Sequence, residues 1–111
     1  GNLLCDSQQL AGVLDWEFAA YRPLEADVGW MLSSPWRYYR PDLAASGLMG
    51  RKDLLEALGA PDTERLRGWE ALALLRWMVI AVLQDERQGV ARGTNADEHE
   101  LLREAEALIR A

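Results

Sequence analysis

From Thr63 to Gln88 the chain runs twenty-six residues with no proline and a single glycine, Gly68. Leu66, Trp69, Ala73, Trp77, Ile80 and Gln84 fall on one stripe at helical spacing, and Leu72, Leu75, Val79 and Leu83 widen it. The spacing predicts one helix over 63–88, which at about 1.5 Å per residue is nearly 40 Å long. Asp62 is placed to cap its start, because a carboxylate oxygen can accept an orphan backbone N–H. Gly68 costs about 1 kcal/mol relative to alanine and is a candidate bend. A helix this apolar is expected to be a central core element, wrapped on more than one side. A tryptophan-rich ligand groove along it is the alternative.

Shorter helices are expected around it. Val28, Met31 and Leu32, flanked by Trp30, predict a helix over 25–34 that Pro35 ends. Arg51 to Leu58 reads as a helix stopped by Gly59. After the turn Gly89–Gly93, Thr94 or Asn95 is the expected cap of a last helix, Asn95 and Glu98 having capping-box spacing. Leu101, Leu102, Ala105, Leu108 and Ile109 give that helix an amphipathic stripe. His99 lies off the stripe in a charged run and reads as a solvated surface residue. No second histidine exists to build a zinc site. Between the helices, Trp36-Arg37-Tyr38-Tyr39-Arg40-Pro41 has two readings. Its rings cover the edge of the core while arginine faces water, or the cluster stacks a base or a substrate.

The N-terminal end has a different period. Leu10-Ala11-Gly12-Val13-Leu14 is a short apolar run that reads as a buried strand, and Asn2 to Gln9 reads as a partner strand and turn. The fold class is therefore mostly α with a small N-terminal β-hairpin, an α+β arrangement. The expectation is a single domain over 1–111, with the hairpin in 1–17 and a helical subdomain in 24–111. The open end of the hairpin would bring Asn2 close to Asp15. One amide oxygen beside one carboxylate suits magnesium, a hard cation that takes one or two protein oxygens and completes its shell with water and substrate phosphates. Kinases hold their metal in this way, with an aspartate at a strand end and an asparagine of the catalytic loop.

Gly1-Asn2, then Val13-Leu14-Asp15-Trp16-Glu17, then Pro23-Leu24-Glu25-Ala26-Asp27-Val28-Gly29-Trp30 resemble the C-terminal lobe of the aminoglycoside phosphotransferase family. These kinase-like proteins carry H-G-D-x-x-x-x-N, a strand ending in D-W-E or D-F-E, and D-P-x-x-D-L-A. Weaker motifs further along are similar to the subgroup associated with acyl-CoA dehydrogenases. The resemblance implies part of the C-terminal lobe of a protein-kinase-like fold. It implies ATP as co-substrate, Mg2+ as cofactor and a small hydroxylated molecule as acceptor. By resemblance, Asn2 and Asp15 bind the metal and the nucleotide phosphates, and Asp27 braces the catalytic loop. Asp27 is equally an acid suited to the positive end of its helix. The family's H-G-D, with its catalytic base, would lie just before Gly1. The chain is accordingly expected to be a fragment, inactive by itself, without the glycine-rich loop and phosphate-binding lysine. It also departs from the family at Ala20-Tyr21-Arg22, where Gly and Asp are usual.

Composition excludes other classes. A net charge of −6 is opposite to the basic stripe a nucleic-acid binder needs, and it disfavours an anionic membrane surface. The most apolar stretch, Ala71 to Leu83, carries Arg76 and is too short for a span of about 20 residues. No stretch reads as a signal peptide. Lys52 is the sole lysine, so Schiff-base chemistry is not expected. Cys5, also alone, reads as a small core residue, and the expected setting is the cytoplasm. Two other functions fit the residues less well. One is a non-catalytic helical module that binds a partner or forms a homo-oligomer through exposed apolar surface. The other is a hydrolase using Asp15 and Glu17 as paired carboxylates.

Overall fold

A computed structural model describes residues 2–111. Gly1, which the resemblance joins to Asn2 in one loop motif, lies outside the described residues. The order is β1 (Leu3–Cys5), β2 (Leu10–Val13), α1 (Leu24–Leu32), α2 (Arg51–Ala57), α3 (Thr63–Gln88) and α4 (Glu98–Arg110). Single 3-10 turns sit at Trp16–Phe18 and Ser34–Trp36. The mostly-α class with one small hairpin is what the sequence predicts. Helix α1 stops earlier than expected, at Leu32, and Pro35 lies inside the following 3-10 turn.

Helix α3 has the predicted ends because both signals are local. The Asp62 carboxylate accepts hydrogen bonds from the backbone N–H of Glu64 and Arg65. Gly89 closes the helix at φ 64°, a left-handed conformation that glycine adopts without a Cβ clash. Helix α1 packs on one side of α3. A Cβ at Gly29 would sit 2.8 Å from both Glu70 N and the Trp69 carbonyl carbon, so only glycine lets the two backbones approach this closely. Val28, Leu32, Ala45, Leu54 and Leu66 form one core cluster there. Across α3, Ala71, Leu74 and Trp77 pack with Leu101 and Ala105 of α4. Helix α2 is tied to α3 by a two-pronged ion pair, Arg51 to the buried Glu70, at 2.7 and 2.6 Å. Leu72, Leu75, Val79 and Leu83 remain exposed. The helix is thus covered by α1 and α4 while its widened face stays open.

The cap of α4 differs from expectation. Asp97, not Thr94 or Asn95, accepts from the backbone N–H of His99 and Glu100. Asn95 is drawn away to Asp85, a buried carboxylate of α3, which also receives the backbone N–H of Gly93. Burial pushes the Asp85 carboxyl up, but those donors outweigh it and hold the group below the ordinary aspartate value. Arg37 also departs from the water-facing role. Its guanidinium donates to the carbonyl oxygens of Leu32 and Ala44 and fastens the loop after α1. Tyr38 and Tyr39 are exposed, so only Trp36 of that cluster covers core.

The hairpin pairs antiparallel, Leu3 with Val13, Leu4 with Gly12 and Cys5 with Leu10, with an irregularity between Leu4 and Cys5. Asp6 builds the turn. Its carboxylate accepts from the N–H of Gln8 and Gln9, which hold it below the usual aspartate range. The strand is not buried, however. Leu3, Leu4, Leu10, Val13 and Leu14 are all exposed, and so is Cys5, which is no core residue. A run of apolar residues states what a strand would bury, not that a partner surface lies within reach. The helices spend their stripes on one another, and none covers the sheet.

Candidate active site

The ladder between β1 and β2 is extended by one further bond, from the N–H of Leu14 to the carbonyl of Asn2, at 2.8 Å. The chain then turns sharply. Asp15 has φ 65° and ψ 56°, the left-handed region that Asp and Asn tolerate better than other side chains. The Trp16 indole N–H donates to the Val13 carbonyl at 2.8 Å and fixes the turn. Together these place the Asp15 carboxylate against Asn2, whose Nδ2 donates to Oδ2 at 3.0 Å. The approach predicted from the hairpin is present. Both side chains are exposed, and the Asn2 Oδ1 has no partner among the described residues.

Asn2 and Asp15 line a cleft of about 850 Å3 that Asp27 also lines. Asp27 comes from the first turns of α1, and its carboxylate has no hydrogen-bond partner among the described residues. The three residues singled out from sequence therefore meet at one cavity, although they lie on three different segments. Among the described residues no group of three or more His, Cys, Asp or Glu is placed to share a metal. The oxygen donors the cleft presents are the Asn2 amide and the carboxylates of Asp15 and Asp27. Such an all-oxygen set fits magnesium, which leaves most positions to water and phosphate. Glu17, the second acid of the hydrolase reading, does not line this cleft.

Sequence spacing did not show the opposite wall. Trp30 of α1 stacks on Trp77 of α3, with centroids 5.4 Å apart and planes at 6°. Trp36 meets both edge-on, at 5.8 and 4.9 Å. The Arg76 guanidinium lies 4.9 Å from the Trp30 ring centre. Trp30, Trp36 and Arg76 all face the cleft. Trp77 of α3 is itself buried and does not line the cleft, so the rings of this wall that face it, Trp30 and Trp36, come from α1 and the turn after it rather than from the α3 stripe. The sole advance signal was that Trp30 and Trp77 both sit on predicted helical stripes.

An asparagine and an aspartate thus meet at the end of a hairpin beside a helical body. The phosphotransferase enzyme family matches residues 1–69, which include Asn2, Asp15 and Asp27 and more than half of the 111 residues. The chain belongs to that family. No curated protein and no solved structure matches it. Family membership implies a nucleotide and a small molecule as substrates. No helix among the described residues is long and apolar enough to cross a membrane.

Proposed function

We propose that the chain supplies the metal-holding side of an ATP-dependent phosphoryl-transfer site, whose acceptor is a small hydroxylated molecule. The observation that carries this reading is the Asn2–Asp15 pair, 3.0 Å apart at the rim of a cleft that Asp27 also lines. Asn2 Oδ1 and the Asp15 carboxylate would hold Mg2+. Held there, the ion would supply positive charge to offset that of the transferring phosphoryl group. The residues do the positioning. The left-handed backbone at Asp15 aims its carboxylate, and the Leu14–Asn2 bond keeps the amide beside it. Asp27 stands at the positive end of α1, where a carboxylate is favoured, and faces the same cleft.

Mn2+ in place of Mg2+ makes the site visible by electron paramagnetic resonance. Titrated into the 111-residue chain with ATP, Mn2+ is expected to bind at least about tenfold more weakly to Asp15→Asn than to the parent. Asn2→Ala is expected to fall in the same direction. Equal affinity in all three proteins would remove the pair from the metal site.

A further inference from the structure

Arg76 carries its charge without an ion pair among the described residues. Its neighbours on α3, at three and four residues' distance, are Leu72, Ala73, Val79 and Ile80, so no acid of its own helix can reach it. Among the described residues it makes no hydrogen bond either, and its guanidinium lies over Trp30. Arg22, from the loop before α1, is likewise unpaired among the described residues. Both arginines line the 850 Å3 cleft.

Their position within it is marked by a second, smaller cavity of about 560 Å3. Arg22, Trp30 and Arg76 line both cavities, whereas Asn2, Asp15 and Asp27 line only the larger. Arg22, Trp30 and Arg76 therefore extend past the part of the cleft that Asn2 and Asp15 line, and Asp27 lies three residues before Trp30 on α1. The stack of Trp30 on Trp77, with Trp36 across its edge, gives that extension a fixed apolar wall. A guanidinium is a planar fork of donors that matches carboxylate and phosphate oxygens two at a time. A cationic acceptor would meet two unpaired like charges there, and a neutral one would leave both arginines without a partner.

We propose that the cleft selects hydroxylated acceptors bearing an anionic group, with Arg76 and Arg22 seating the anion and Trp30 packing the acceptor's apolar body. The proposal rests on the reading that the Asn2–Asp15 part serves the phosphoryl donor. Arg76 then acts as the specificity-determining residue in the part beyond it. The same chemistry would recognise the phosphates of a nucleotide, and the test separates the two sources.

Three probes share one hydroxyl-bearing phenyl body and differ in charge: mandelate, mandelamide and 2-amino-1-phenylethanol. Binding to the 111-residue chain is measured by calorimetry without metal or nucleotide. The indole N–H resonances of the five tryptophans report where each probe sits. Mandelate is expected to bind at least about tenfold tighter than the amine, with the amide between, and to shift the Trp30 resonance. Arg76→Gln is expected to abolish the preference, Arg76→Lys to keep part of it, and Arg103→Gln, on α4, to keep all of it. Mandelate binding that is undetectable, no tighter than that of the other two probes, or unchanged in Arg76→Gln overturns the proposal. So does displacement of mandelate by inorganic triphosphate together with loss of triphosphate binding in Arg76→Gln, since the seat would then belong to the nucleotide. Asp15→Asn separates the underlying reading. If it retains Mn2+ affinity while mandelate discrimination stands, the metal assignment fails and the anion seat survives.

Discussion

Among the described residues from Leu3 to Leu14 no apolar side chain is buried, whereas Leu32, Leu66 and Leu74 in the helices are at most 2 % exposed. The two regions have comparable apolar character, yet only one has a core. The hairpin is held by its ladder, by the Asp6 turn and by the Leu14–Asn2 bond. A two-stranded ribbon of that size is marginal alone. The candidate metal ligands thus sit where this chain supplies geometry but little packing energy, and the Trp30–Trp77 wall sits where it supplies both. The difference teaches that the two sides of the cleft should respond separately to mutation. Packing changes should register in the helices, and charge changes should register at the hairpin.

The largest expected effect tests the first half of that contrast. Leu74 is 2 % exposed between α3 and α4, and Leu4 is 49 % exposed on β1. Leu74→Ala removes buried methyl groups and leaves a cavity, at a cost of about 2–5 kcal/mol. Leu4→Ala removes surface that water already reaches and should stay within about 0.5 kcal/mol. Urea melts of the two variants check this. Similar losses would break the contrast and mean that the hairpin is covered in solution.

Gly29→Ala comes next. Alanine is the better helix former by about 1 kcal/mol. Against this stand two contacts of 2.8 Å between the added Cβ and the backbone of Trp69 and Glu70, atoms that cannot swing aside as a side-chain tip would. Overpacking costs about 1–3 kcal/mol, and rigid neighbours favour the upper half of that range. The expected net loss is about 1–2 kcal/mol, with the Trp30–Trp77 stack loosened, since Trp30 is the next residue. Near-ultraviolet circular dichroism of the variant reads that loosening, and an unchanged spectrum with unchanged stability would show that α1 does not press on α3 here.

Much of this arrangement was legible in the sequence, and the limits have physical causes. Helix α3 could be read to its ends because Asp62 and Gly89 act on adjacent backbone groups. The approach of Asn2 to Asp15 followed from antiparallel pairing, which fixes register over a short span. The cap of α4 was misread because Asn95 answers to Asp85, ten residues away. Arg37 was misread because its partners are carbonyl oxygens exposed by the end of α1 and the following loop, groups that no residue pattern marks. The hairpin's exposure and the Arg76–Trp30 contact depend on which surfaces meet, and that is settled by the placing of whole helices. Asp27 was singled out by resemblance, and its position in the cleft emerges only when α1 is docked on α3.

Gly68 gives the smallest effect and the cleanest comparison, because it is Gly29 with the neighbour removed. Both glycines lie inside helices, and both pay the backbone entropy that glycine brings to a helix interior. Gly68 is exposed, and a Cβ there would meet nothing within 4 Å. The helix runs through it unbroken. With no contact to oppose the propensity term, Gly68→Ala should stabilise the chain by about 1 kcal/mol, raising the melting temperature by about 4 °C. Opposite signs at Gly29 and Gly68 in paired melts would show that close approach, not helix propensity, decides where this helical body requires glycine. A loss at Gly68 would place an undetected contact on the exposed face of α3, beside Leu72 and Leu75.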